Sequence, residues 1–127
     1  MYQENYRTKG TLPKIPMIKV IVKTVDDRAK RESQFVIDSG ADMTVISRAL
    51  FRKLGITRKG AEHLIDAKGV STMTDWCLIK IELPQLCFEK RIPAFVTETQ
   101  TNYLGRDIIN DFCMVLNGKQ NLYKIYA

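Results

Sequence analysis

Between Trp76 and Leu83 the chain alternates, with Cys77, Ile79, Ile81 and Leu83 on one face, until Pro84 stops the run. A period of two belongs to a strand with one buried side, and it leaves no helical alternative for this stretch. Shorter runs of the same kind recur. Ile15 to Val25 sets Ile18, Val20 and Val22 against Lys19, Ile21 and Lys23, and the charged segment 26–32 then reads as a turn. Phe35-Val36-Ile37, Met43 to Ile46, Leu86 to Phe88, Ile92 to Val96 and Leu122 to Tyr126 are all strand-like. His63 to Ile65 and Val70 to Met73 flank Asp66-Ala67-Lys68-Gly69, a loop with glycine last, which predicts a hairpin.

Helical signals are few. Ser47 can cap a turn or two that places Leu50, Phe51 and Leu54 together, with Gly55 as the stop. Arg106 to Phe112 groups Ile108, Ile109 and Phe112 and predicts one short helix near the C-terminal end. The expectation is an all-β barrel or sandwich with that helix. Residues 1–13, polar and unpatterned, read as a flexible leader.

The 127 residues suit one domain over 1–127 with a core that needs no staples. No run approaches the roughly 20 apolar residues of a membrane span, and Met1 to Asn5 lacks a signal peptide's apolar stretch. An intracellular, cytoplasmic setting is therefore expected, with no membrane partner. Twenty Lys and Arg against fourteen Asp and Glu give a net charge of +6. These cations are scattered, without interleaved aromatics or zinc-finger spacing, so a solvated surface is expected and nucleic acid is not. Cys77, Cys87 and Cys113 are odd in number and form no C-x-x-C pair, which predicts reduced, buried thiols and no metal site. The only histidine, His63, has no triad motif around it, and neither Asp26-Asp27 nor Asp107/Asp111 has the spacing of a cation site. Trp76 is expected in the core.

Asp38 is the residue that points to chemistry. A carboxylate directly after a fully apolar strand, followed by Ser39, Gly40 and Ala41, stands where a buried strand opens into a tight turn. Desolvating a carboxylate is costly unless it is hydrogen-bonded, paired or used. On these residues alone, an Asx-type turn closing a hairpin is the better explanation.

The longer pattern extends further. Phe35-Val36-Ile37-Asp38-Ser39-Gly40-Ala41-Asp42-Met43-Thr44-Val45-Ile46-Ser47 resembles the active-site segment of the retropepsins, the aspartic proteases of retroviruses and retroelements. Tyr103-Leu104-Gly105-Arg106-Asp107-Ile108-Ile109 resembles that family's second signature, and the hairpin at 63–73 falls where the family carries its flap. The resemblance implies the closed β-barrel of an acid-protease half with one short C-terminal helix, working as a homodimer. It implies Asp38 as the catalytic residue, supported by Ser39, Gly40, Ala41, Asp42 and Arg106, with Arg106 pairing with Asp42. Substrate contacts are implied for Gly40, Asp42 and Met43, for the flap residues Ile65, Asp66 and Ala67, and for Tyr103. Two departures stand out: the flap has a single glycine, Gly69, and Tyr103 is bulkier than the family's usual aliphatic residue.

The implied activity is an aspartic endopeptidase acting on a viral or retroelement polyprotein, in the cytoplasm or within a virus-like particle, without a metal or organic cofactor. The alternative is the same fold domesticated as a dimerisation or peptide-binding module. Because one chain holds a single D-S-G segment, the second aspartate must come from a second copy. The terminal strands, Ile15 to Val22 and Leu122 to Tyr126, are the expected shared sheet.

Overall fold

The computed structural model describes residues 1–8 and 13–126. Seven strands form one sheet: β2 (Met17–Lys23), β3 (Lys30–Ile37), β4 (Val45–Ser47), β5 (Gly60–Ile65), β6 (Ser71–Leu83), β7 (Phe88–Thr97) and β8 (Asn102–Leu104). Their order is β2-β3-β8-β4-β7-β6-β5, and β2 also pairs with β6. That last pairing closes six strands into a barrel and leaves β5 outside, paired to the projecting end of β6. Inside lie Ile18, Val20, Val22, Phe35, Ile46, Ile79, Ile81 and Leu104, each almost fully buried. The alternation around Ile79 lands as expected, with Cys77, Ile79, Ile81 and Leu83 all in the core.

A second sheet joins the chain's ends: β1 (Tyr2–Asn5), β10 (Leu122–Tyr126) and β9 (Cys113–Asn117), in the order β1-β10-β9. The expected flexible leader is therefore a strand over Tyr2–Asn5, and residues 9–12 lie outside the described residues. Tyr2 stands opposite Ile125, and the buried Tyr123 donates its hydroxyl to the Met17 carbonyl at 2.7 Å, tying this sheet to the barrel. β10 is bonded on both sides within its own chain, whereas β2 pairs with β3 over Met17–Lys23 and with β6 only over Ile21–Lys23.

Helix α1 (Arg48–Leu54) starts where expected. The Ser47 hydroxyl accepts from the Leu50 N–H at 3.2 Å, and Gly55 closes the helix at φ 64°, a backbone state that favours glycine. The C-terminal helix, α2 (Arg106–Ile109), is shorter than the expected span to Phe112, because the chain turns at Asn110 and enters β9. Where two short strands were expected, β7 is one strand of ten residues. Of the thiols only Cys77 is buried, and burial pushes it up to about 11; Cys87 and Cys113 are exposed, contrary to expectation. Trp76 is half-buried rather than in the core.

Candidate active site

The barrel's topology creates the site. β8 lies between β3 and β4, parallel to β3 and antiparallel to β4. The chain leaving β3 must therefore arch over the end of β8 before it can enter β4. That arch is the Asp38–Thr44 turn. Asp38 N–H donates to the Leu104 carbonyl (3.0 Å), Gly40 N–H donates to Asp38 Oδ1 (3.0 Å), and Ala41 N–H donates to the Asp38 carbonyl (3.2 Å). The carboxylate is half-buried and oriented by its own turn.

The far side of the turn is fastened to α2. Arg106 N–H donates to the Ala41 carbonyl (2.9 Å), and Arg106 Nη1 donates to the Ser39 carbonyl (3.3 Å). Arg106 also forms the expected ion pair with Asp42, though in the single chain the pair is wet, with side chains 44% and 82% exposed. An exposed pair of this kind contributes at most about 1 kcal/mol.

A deeper fastening escaped the sequence. Thr44, fully buried, donates its hydroxyl to Asp107 Oδ1 (2.8 Å) and its N–H to Asp107 Oδ2 (3.0 Å), while its hydroxyl accepts from the Gly105 N–H (3.1 Å). Gly105 is there because nothing larger fits: an added Cβ would lie 2.4 Å from the Met43 carbonyl carbon and 2.6 Å from its oxygen. The signal was available, since Gly105 and Asp107 flank Arg106 in the quoted G-R-D segment.

In front of Asp38 lies a cleft of about 720 Å³. Its floor is Asp38, Gly40, Ala41, Asp42 and Met43, and its roof is the β5–β6 hairpin through Ile65, Asp66 and Ala67, with Tyr103 on the wall. Every residue expected to contact substrate is thus in one cavity. Ser39 and Arg106 are outside it, behind the turn. Val45, His63, Leu64, Phe95 and Thr97 line it as well and were not anticipated. Phe95 was legible in principle: Ala94 and Val96 face the core, which leaves an apolar residue out of phase. The flap tip is a tight turn in which Asp66 Oδ1 accepts from Lys68 N–H (2.8 Å) and Val70 N–H (3.0 Å), and Gly69 adopts φ 79°. Among the described residues no group of His, Cys, Asp or Glu is gathered as a metal centre needs.

Residues 27–111, more than half of the chain, match the family described as "gag-polyprotein putative aspartyl protease". The chain belongs to the retropepsin family. Solved structures agree in fold. The protease of EIAV, complexed with the inhibitor HBY-793, is similar with TM-score 0.62 at 21% identity, over 82% of this chain and 93% of that one. A retropepsin-like aspartic protease from Rickettsia conorii is similar with TM-score 0.65 at 14% identity, over 99% and 94%. The foamy viral protease-reverse transcriptase, in complex with an RNA/DNA hybrid, is similar with TM-score 0.54 at 12% identity; 76% of this chain matches 12% of that one. No curated protein sequence matches this chain. In this retropepsin the D-S-G turn and the β5–β6 hairpin line one cleft, and the G-R-D helix start fastens that turn from outside it.

Proposed function

We propose that this retropepsin is an aspartic endopeptidase that acts as a homodimer on an extended segment of a polyprotein. The observation that carries the reading is Asp38, held by its own turn at the floor of a cleft that a hairpin roofs. Two Asp38 carboxylates brought together from two chains share one proton, because like charges at such range resist full ionisation. The ionised member takes a proton from water as the water oxygen adds to the scissile carbonyl, and its protonated partner polarises that carbonyl and then gives a proton to the leaving amine as the C–N bond breaks. The peptide lies extended between turn and flap, with alternate side chains entering the walls. Val45, Leu64, Phe95 and Tyr103 make those walls apolar.

The dimer reading has its own support. The terminal sheet ends in two edges, β1 and β9. β1 carries Glu4, whereas β9 reads Cys113-Met114-Val115-Leu116-Asn117 and has no charge. Pairing an edge with its own copy about a twofold axis sets residue i against j and j against i, and brings a residue near the axis close to its own copy, which penalises charge there and tolerates an uncharged strand. Val115 and Leu116 remain 45% and 44% exposed in the single chain. We assign β9 as the strand that meets its copy.

The test is cleavage of a peptide library by the purified protein, with products identified by mass spectrometry. Asp38→Asn should abolish cleavage and leave the fold and dimer intact, since the amide keeps the shape and cannot serve as base. Excess Asp38→Asn subunits should also poison wild-type activity through mixed dimers. Turnover by the pure variant overturns the reading. An intact wild-type dimer that binds peptides without cutting them favours the non-catalytic module.

A further inference from the structure

Strand β6 changes partners along its length. From Trp76 to Leu83 it is bonded to β7, but Ser71 to Asp75 pair with β5 only, among the described residues. Asp75 is therefore the last residue of the flap before the strand joins the barrel. Both of its carboxylate oxygens are engaged. Arg48 Nη1, at the start of α1, donates to Oδ2 (2.9 Å), and Arg58 Nη1, just before β5, donates to Oδ1 (2.7 Å). Arg48 is itself held. Its Nε and Nη2 donate to Glu98 Oε1 (3.0 and 2.8 Å), and its guanidinium lies 5.4 Å from the centroid of the Phe51 ring. Beside this cluster Thr74 donates its hydroxyl to the Val96 carbonyl at 2.5 Å.

We infer that Asp75 is a positioning residue for the flap, clamping its base between Arg48 and Arg58 so that the roof closes on a bound peptide at one angle. This rests on the peptidase reading above. The lever makes the clamp effective. Ile65 stands opposite Ser71, four residues beyond Asp75. At about 3.3 Å per residue the tip is about 13 Å from the clamp, so a 10° change at the base moves it about 2 Å. That displacement separates a hydrogen bond from a lost contact. The cluster is balanced, two guanidiniums against two carboxylates, and replacing Asp75 by an amide leaves two cations facing each other. The guanidiniums also hold the Asp75 carboxyl below its ordinary range, Arg58 foremost and Arg48 next, so the clamp stays charged in mildly acidic solution.

The test follows the flap directly. Amide hydrogen exchange on the full chain should show residues 61–73 opening about fivefold faster in Asp75→Asn and Arg58→Gln, with Val20, Ile79 and Val96 unchanged. Asp75→Glu should restore most of the protection. With a cleavable peptide, the same variants should raise KM about fivefold and leave kcat within twofold, because a looser roof weakens capture more than chemistry. Arg58 is 58% exposed, so its variant folds even if the aspartate variant does not. Unchanged flap exchange, or loosening spread evenly over the barrel, overturns the clamp. Inability of the wild type to cut any peptide overturns the peptidase reading and leaves the exchange result to decide the clamp by itself.

Discussion

Thr44 and Asp107 form a two-point lock across 63 residues of sequence: hydroxyl to Oδ1 at 2.8 Å and N–H to Oδ2 at 3.0 Å. The lock joins the end of the Asp38 turn to the helix that starts beneath it. Asp107→Ala should leave two donors of the buried Thr44 unpaired, at roughly 1–3 kcal/mol each before any relaxation. Thermal unfolding should show a fall of about 5–15 °C. Asp107→Asn, which retains one acceptor oxygen, should fall by less. Equal losses in the two variants would mean that the contact acts through charge alone.

Gly105→Ala tests a close approach. The new methyl would meet the main chain of Met43 and Thr44, at 2.4 to 2.8 Å, and main chain cannot swing aside as a side chain can. The active-site turn must shift. Stability should drop by about 3 kcal/mol, and cleavage should fall more steeply than stability, because the shifted turn carries Asp38. A variant with wild-type melting and wild-type turnover would show that the turn has room to spare.

The β9 edge predicts a soluble monomer. Val115→Lys puts a cation at the middle of β9, where a symmetric pairing brings it closest to its own copy, while in the single chain residue 115 is 45% exposed and tolerates it. Sedimentation should report a monomer whose unfolding midpoint matches that of wild-type protein diluted until it dissociates. Activity should vanish together with the dimer. A Val115→Lys protein that remains dimeric would move the interface elsewhere.

Acid should spare the flap until late. The native Asp75 carboxyl is lowered, so its contribution is complete above the unfolded value of about 3.9 and is lost as the pH falls through the lower native value. After correction for intrinsic rates, exchange of residues 61–73 should match at pH 7 and pH 5 and rise only below about pH 4. Loosening between pH 7 and pH 5 would show that another group controls the hinge.

What sequence reveals here follows the range of the interactions involved. Ser47 and Gly55, the turn from Asp66 to Gly69 and the alternation around Ile79 are local patterns, and each appears where the residues place it. The Arg106–Asp42 pair was implied by resemblance, but its exposure was not, since exposure depends on the surrounding surface. β1 was illegible because Tyr2 finds Ile125 at the other end of the chain. β7 was divided because Glu89, Lys90 and Arg91 look like a loop, although Lys90 reaches Asp111 and the strand continues beneath it. Thr44, Gly105 and Asp107 look ordinary until the two segments meet. Asp75 is one acid among fourteen until β6 is seen to change partners there.

The placement of β8 between β3 and β4 also sets an order of events in time. Asp38 takes its shape from the Leu104 carbonyl, and the turn behind it from Ala41, Arg106 and Asp107. A ribosome that has delivered the chain as far as residue 100 has released the D-S-G segment without β8, the strand that must lie between its flanks. The active-site arch therefore waits for contacts that span more than sixty positions and are slow to close. Until then a nascent chain carries the aspartate but not the geometry of its turn.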